Sequence, residues 1–240
     1  WPGKTTYLDT PILPIVASSA RTDYPLDCAM PDGTPVIQEV NGPGLGGPYV
    51  TAAGQTLVVT APPVAAMQVA NPLYYAGGPQ PLTVTRDYGF GPGGPSQGTV
   101  SIGGVVIDPL TVNWTDTTID FPVPASVGSG GQLVITRGDN GLSTTTGITV
   151  TVGGTPPIRV PLGGSIQAAI DVANPGDLIL VPPWNVVNPD GTPAAYEELV
   201  VMWKPVRLQG YGANATRIDV RNMTPVDLAD WHNKVDFLIA

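Results

Sequence analysis

Charged residues are scarce in this sequence. Asp, Glu, Lys and Arg make up 12% of its 240 residues, against roughly 25% in an average globular protein. Ten basic residues stand against nineteen acidic ones, and the net charge of −9 leaves no basic surface from which counterion release would drive nucleic-acid binding. Nucleic acid is therefore set aside as a partner, and an acidic, lysine-poor surface suits an exported protein. Cys28 is the only cysteine, which excludes an intrachain disulfide and a thiolate metal cluster. It reads as a small apolar residue in a loop, with pairing to another chain as the alternative. His232 is the only histidine, so any Ser-His-Asp or His-rich metal site would rest on it alone, and a zinc site lacks its ligand spacing. It reads instead as a solvent-facing or helix-end residue. No run approaches the ~18 apolar residues needed to cross a bilayer. Trp1-Pro2-Gly3-Lys4 leads into no apolar stretch of the signal-peptide kind, and with no initiating Met residue 1 is expected to be a trimmed start.

Glycine and proline are abundant, 30 and 28 residues, which favours many short strands joined by turns. Apolar residues reach 42% and recur in ordered alternation, so the chain is expected to fold around real cores. Residues 1–67 form a Pro/Gly-rich region, either an arm lying on a neighbour or a small β domain. It carries apolar pieces at Pro11–Val16 and Gln55–Thr60 and a loop at Asn41–Pro48. From 68 to 155 alternation with period two predicts half-buried strands: Leu82 and Val84, Val100 and Ile102, Leu110 and Val112, Val134 against Ile135, and Ile148, Val150 and Val152. Turn signals at Gly103-Gly104, Asp108-Pro109, Gly128 to Gly131 and Asp139-Asn140-Gly141 divide these into about six or seven strands, the pattern of an antiparallel sandwich.

Within this stretch Asp87-Tyr88-Gly89-Phe90-Gly91, then Gly98 to Gly104, then Trp114-Thr115-Asp116-Thr117-Thr118-Ile119, then Val123-Pro124 and Gly147 to Val152 follow in order. The series, over roughly 85 residues, resembles the IPT/TIG family of immunoglobulin-like domains. The resemblance implies a β-sandwich with a spacer or interaction role. In physical terms Gly89 and Gly91 allow a bend around Phe90, Trp114 supplies an inter-sheet anchor, and Asp116 suits a turn bonded to its local backbone.

The character changes over 156–240. Ser165 caps a short helix with Ile166, Ala169, Ile170 and Ala173 on one face, and Asn174-Pro175-Gly176 stops it. Short strands follow at Asp177–Pro183, Leu199–Trp203, Val206–Gly210 and Arg217–Val220, with an insertion at 185–195 that carries the turn Asn188-Pro189-Asp190-Gly191. The order S-I-Q-A-A-I-D, P-G-D, V-P-P, E-x-x-V and K-P-V-x-L-x-G-x-G resembles the opening coil of right-handed parallel β-helix proteins of the pectin lyase kind. The resemblance implies that the helix caps the open end of a solenoid, whose terminal coil otherwise exposes core and strand edges. It also places the family's calcium-binding and catalytic residues in later coils that match nothing here. A second helix is expected from Thr224, with Pro225 at its first position and Leu228, Trp231, Val235 and Leu238 on one side. The sequence then ends without a stop signal, so further coils are expected beyond it.

Candidate chemistry is thin. Glu197 and Glu198 are adjacent, with Asp177 and Asp190 near the same coil, but neighbouring strand residues point to opposite faces, which argues against a carboxylate pair. Asp139-Asn140-Gly141 lacks the remaining acids of a calcium loop and reads as a hairpin turn. Sequons occur at Asn113, Asn214 and Asn222. The fold class expected is mainly β: an immunoglobulin-like sandwich, then the start of a parallel β-helix with a capping helix and a C-terminal helix. The function expected is that of a secreted or cell-surface, adhesin-like or filament-forming protein. It would associate with other protein subunits through the N-terminal arm or strand edges, with no catalytic residue, metal or cofactor. The alternative is a piece of a polysaccharide lyase or esterase, in which Tyr74, Tyr75, Trp184, Tyr196 and Trp203 stack on sugar faces.

Overall fold

The computed structural model describes residues 27, 29–44, 46–62, 66–184, 194–212, 215–220 and 225–239. In chain order the first strands are β1 (Glu39–Asn41), β2 (Tyr49–Val50), β3 (Thr56–Thr60), β4 (Ala66–Ala70), β5 (Thr83–Asp87), β6 (Thr99–Ile102) and β7 (Val105–Val106). They are followed by β8 (Asn113–Trp114), β9 (Thr118–Pro122), β10 (Gly130–Thr136) and β11 (Ile148–Val152). After these come β12 (Ile158–Arg159), helix α1 (Ile166–Val172), β13 (Leu178–Val181), β14 (Arg207–Gly210) and helix α2 (Pro225–Ile239). The molecule is mainly β, and among the described residues no helix is long and apolar enough to cross a membrane.

Two sheets share one core. The first has the order β1-β3-β9-β8, the second β2-β11-β10-β6-β7, and every pairing is antiparallel except that of β2 with β11. Period two decides which side chains face inward: β3 buries Leu57 and Val59, β9 buries Ile119 and Phe121, and the register sets Leu57 opposite Phe121 and Val59 opposite Ile119. In the second sheet Ile102, Leu133 and Ile148 lie side by side, with Val100 beside Ile135. All belong to one buried cluster with Val40, Phe90 and Trp114. A slip of one residue in any of these strands would turn its apolar set to water, so burial fixes the register. Strands at 39–60 therefore belong to these sheets, where the sequence left that region open between an arm and a small separate domain.

Local chemistry explains the turns. Gly103 and Gly104 both have positive φ, +58° and +83°, which a two-residue hairpin between β6 and β7 requires and which only glycine adopts freely. The strand expected at Leu110 and Val112 is instead a 3₁₀ turn over Pro109–Thr111. The Asp108 carboxylate accepts the Leu110 N–H at 3.0 Å, Pro109 has no donor for a ladder, and Leu110 is 92% exposed. Asp116 also differs from expectation: its carboxylate accepts the Gly91 N–H at 2.8 Å and its carbonyl the Phe90 N–H at 2.7 Å, pinning a loop distant in sequence. The local turn is held by Thr115, whose hydroxyl accepts the Thr118 N–H at 2.9 Å.

Two arginines are buried beside these sheets, each with carboxylates. Arg137 donates to Asp87 at 2.8 Å and to both Asp139 oxygens, at 3.0 and 2.7 Å. Arg86 holds both oxygens of Asp27 at 2.9 Å and the carbonyls of Ala29 and Met30, which fastens the entering chain to the β4–β5 hairpin.

A third sheet is parallel throughout, with β13 between β12 and β14. All four residues of β13, Leu-Ile-Leu-Val, are buried, because the strand is covered on both faces. Ile179 and Val181 pack with Ile166, Ile170 and Tyr196 under α1, whereas Leu178 and Leu180 pack with Tyr49 and Tyr211 against the two-sheet unit. Gly47 makes that contact possible: a Cβ there would lie 2.7 Å from the Tyr211 ring. A second parallel contact joins Tyr196 to Ile218, beyond the pairing of β13 with β14.

Two measurements check this account. Phe90→Ala removes a fully buried ring from the shared core and is expected to cost about 3–5 kcal/mol in urea unfolding. The second concerns acid. The Arg137 hydrogen bonds hold the Asp139 carboxyl below its ordinary value; burial raises that of Asp87, but Arg137 and the Gly89 N–H outweigh it and leave it lowered too. The unfolded chain therefore binds protons more readily in acid. The stabilisation is complete above about pH 4 and is lost as pH falls through the lowered folded values. Thermal unfolding is expected to show a smaller loss of stability on acidification in Arg137→Gln than in the parent.

Candidate functional site

The region richest in polar chemistry surrounds α1. Ser165 is its cap: the hydroxyl accepts the Ala168 N–H at 3.0 Å, and Ile166, Ala169 and Ile170 face the core. The helix leaves further N–H groups unpaired at this end, and Glu198 fills the gap from the next pass of the chain. Its carboxylate accepts the Ser165 hydroxyl at 2.6 Å, the Ile166 N–H at 2.7 Å and the Gln167 N–H at 3.0 Å. At the other end Lys204 Nζ donates to the carbonyls of Asp171 and Ala173. A single segment thus places an anion at the helix N-terminus and a cation at its C-terminus, both in the sense that the helix dipole favours.

Between these ends the expected strand at Leu199–Trp203 does not form. The Gln167 side chain takes its place: Oε1 accepts the Val201 N–H at 2.7 Å and Nε2 donates to the Val201 carbonyl at 3.3 Å. Asp171, one turn along the same helix face, accepts from Gln167 Nε2 at 3.0 Å, from Trp203 Nε1 at 2.7 Å and from Lys234 at 2.7 Å. Burial raises the Asp171 carboxyl, but Lys234, Trp203 and Gln167 together leave it below its ordinary value. The Trp203 ring lies near two ammonium groups, 4.4 Å from Lys204 and 5.0 Å from Lys234, and Lys234 ties α2 to this cluster.

Beside the helix N-terminus opens a cavity of about 580 Å³, with Trp184, Tyr196, Glu197, Glu198, Trp231 and Lys234 in its walls. Trp184 and Tyr196 meet at 5.5 Å in a tilted arrangement, and the Tyr196 hydroxyl donates to the Pro182 carbonyl at 2.9 Å. Tyr196 is buried and therefore a wall rather than a platform. The structure does bring Glu197 and Glu198 to one cavity, but the Glu198 oxygens are engaged by the helix end, which leaves it poorly placed to move protons.

The remaining candidates are scattered. His232 is exposed on α2, with its ring 5.2 Å from that of Trp231. Asp177 accepts the Asn174 N–H at 2.9 Å and closes the turn after α1. Asp139-Asn140-Gly141 forms a hairpin turn in which Thr136 pairs with Ser143 and Asn140 accepts the Leu142 N–H, and Asp139 serves Arg137. Asn113 is exposed and donates to Asp120 at 2.8 Å, beside the core residue Trp114. Tyr74 and Tyr75 lie half-buried in the β4–β5 connection, away from the cavity. Trp203 belongs to the lysine cluster. Cys28, Asp190, Asn214, Asn222 and Thr224 lie outside the described residues, as do Pro11–Val16. Sequence reasoning missed Gln167, Asp171 and Lys204; the first two were legible as an i, i+4 polar pair opposite the apolar face of α1. No protein-family model, curated protein or solved structure matches the chain.

If Glu198 serves as the helix end-piece, Glu198→Ala is expected to cost about 1–3 kcal/mol in urea unfolding, with part of the loss recovered in Glu198→Gln. A double-mutant cycle with Ser165→Ala should show coupling, because the two side chains share one hydrogen bond.

Proposed function

We propose that this chain is a non-catalytic part of an extracellular surface protein, adhesin-like or filament-forming, that acts by associating with other protein subunits. Its two-sheet unit is read as an immunoglobulin-like sandwich of the IPT/TIG kind, and residues 156–240 as the cap and opening coil of a right-handed parallel β-helix. The observation that carries the reading is the way the second unit grows. β12, β13 and β14 add side by side in parallel, the Tyr196–Ile218 contact repeats the step at a second place, and β14 is an edge strand at the end of the sheet. Met202, Trp203, Ile218 and Val220, in the segments that flank β14 in sequence, are exposed. An open strand edge is a template for a further strand. The chemistry near α1 supports a structural role in turn, since Glu198, Asp171, Lys204 and Lys234 are all engaged in fixing the helix and its neighbours.

A second reading, a piece of a carbohydrate-active enzyme, draws on one observation: the open cavity beside α1, with Trp184 and Trp231 in its walls. It ranks second because the Glu198 carboxylate there is committed to the helix end.

Sedimentation velocity over about a hundredfold range of concentration separates association from its absence. The expected result is a sedimentation coefficient that rises with concentration, with no turnover of acidic polysaccharides in lyase or esterase assays. A constant monomer value would contradict the proposal, and turnover would favour the second reading.

A further inference from the structure

Residues 40–85 contain no Asp, Glu, Lys, Arg or His, in a chain whose net charge is −9. Within that span lies β4, which among the described residues pairs with β5 and with no other strand. The hairpin belongs to neither core sheet, and a two-stranded ribbon alone is marginal in water. The β5 side is supported. Gly33 N–H donates to the Asp87 carbonyl at 2.8 Å, Asp32 accepts the Asp87 N–H at 2.7 Å, and Arg86 holds Asp27. The outer edge of β4 takes no backbone partner among the described residues. Nor does it carry the usual protection of edge strands, a lysine, a proline or a bulge, in its sequence Ala-Met-Gln-Val-Ala.

We propose that β4 is a dimerisation strand, pairing antiparallel with β4 of a second copy of this chain about a two-fold axis through Gln68. This inference rests on the association reading above and names its partner and surface. Three observations carry it. The first is hydrogen-bond phase. Asn71 N–H donates to the Leu82 carbonyl at 3.0 Å, so the alternation of an antiparallel pair turns residues 67 and 69 toward β5 and Ala66, Gln68 and Ala70 outward. Those outward groups are the ones a two-fold pairing centred on Gln68 uses, making about six backbone hydrogen bonds. The second is self-complementarity, which a two-fold interface demands. The strand reads alike in both directions: Ala66 meets the second copy's Ala70, Met67 meets its Val69, and Gln68 meets its Gln68. Met67 is 39% exposed and Val69 half-buried, and they fall in the closely spaced pairs where side chains touch. Gln68 Nε2 donates to Thr85 at 2.6 Å, which leaves its second hydrogen and its carbonyl for the facing amide. The third is charge: two acidic chains repel, and an uncharged strand is where they meet at least electrostatic cost.

Light scattering coupled to gel filtration tests the proposal on the full chain. The parent is expected to be a dimer. Gln68→Pro removes an outward N–H and leaves the backbone bonds to β5 in place, losing only the side-chain bond to Thr85, and Met67→Lys places a charge in each apolar pair. Both should raise the dimer Kd by at least about tenfold with circular dichroism unchanged. Gln68→Cys in a Cys28→Ser background should oxidise to a cross-linked dimer, while Ala52→Cys, on an exposed turn, should not; this decides the matter if Gln68→Pro unfolds. A parent that associates as before in both variants, with no cross-link at position 68, overturns the β4 pairing and leaves the association reading standing. A parent that stays monomeric at every concentration overturns both.

Discussion

A backbone amide or carbonyl taken from water must find a partner, and where a strand has a neighbour on one side only, that demand is left open. This constraint orders the whole molecule. β13 meets it fully, paired on both sides and covered on both faces, and all four of its residues are apolar. The two core sheets meet it in their interiors. Among the described residues it stays open at the outer strands of the sheets, β14 and β4 among them, where hydrogen bonds are offered to something else.

Several of the few charges have defined places. Arg86 and Arg137 are nearly buried, and each is matched by carboxylates and carbonyls that fix a loop to a sheet. Glu198 and Lys204 bracket α1, one at each end. A buried arginine without its acids would be strongly destabilising, so these contacts specify geometry more than they add stability. The surface left between them is rich in Thr, Gly and Pro and, over residues 40–85, carries no charge. Close like-charge contacts within that stretch are absent, which lowers the electrostatic cost of association between like chains there.

Much of the fold was legible as period. Alternation marked β5, β6, β10 and β11, an apolar piece marked β3, the i, i+3, i+4 pattern marked α1, and the stretch Asp177–Pro183 marked the strand β13. Pattern failed where a side chain competed with the backbone. Asp108 turned an alternating pair into a 3₁₀ turn, and Gln167 replaced a strand ladder at Val201. It also failed for partners distant in sequence: nothing local says that Asp116 belongs to Gly91 or Glu198 to Ser165. Arg86 and Arg137 left a faint signal. Each sits two residues beyond an apolar residue, Val84 and Ile135, on the same side of the chain by period two, where a buried charge demands a partner. The adjacent pair Glu197 and Glu198 drew attention as acids, but Glu198 acts as a helix end, a role visible only once the chain has folded back on itself.

The central claim is that unpaired strand edges are contact surfaces. Amide hydrogen exchange, followed strand by strand as protein concentration rises, tests it most directly. Protection at Ala66, Gln68 and Ala70 and along Arg207–Gly210 is expected to increase with concentration while that of β13 stays constant. Protection at those edges that is the same in dilute and concentrated solution would contradict it.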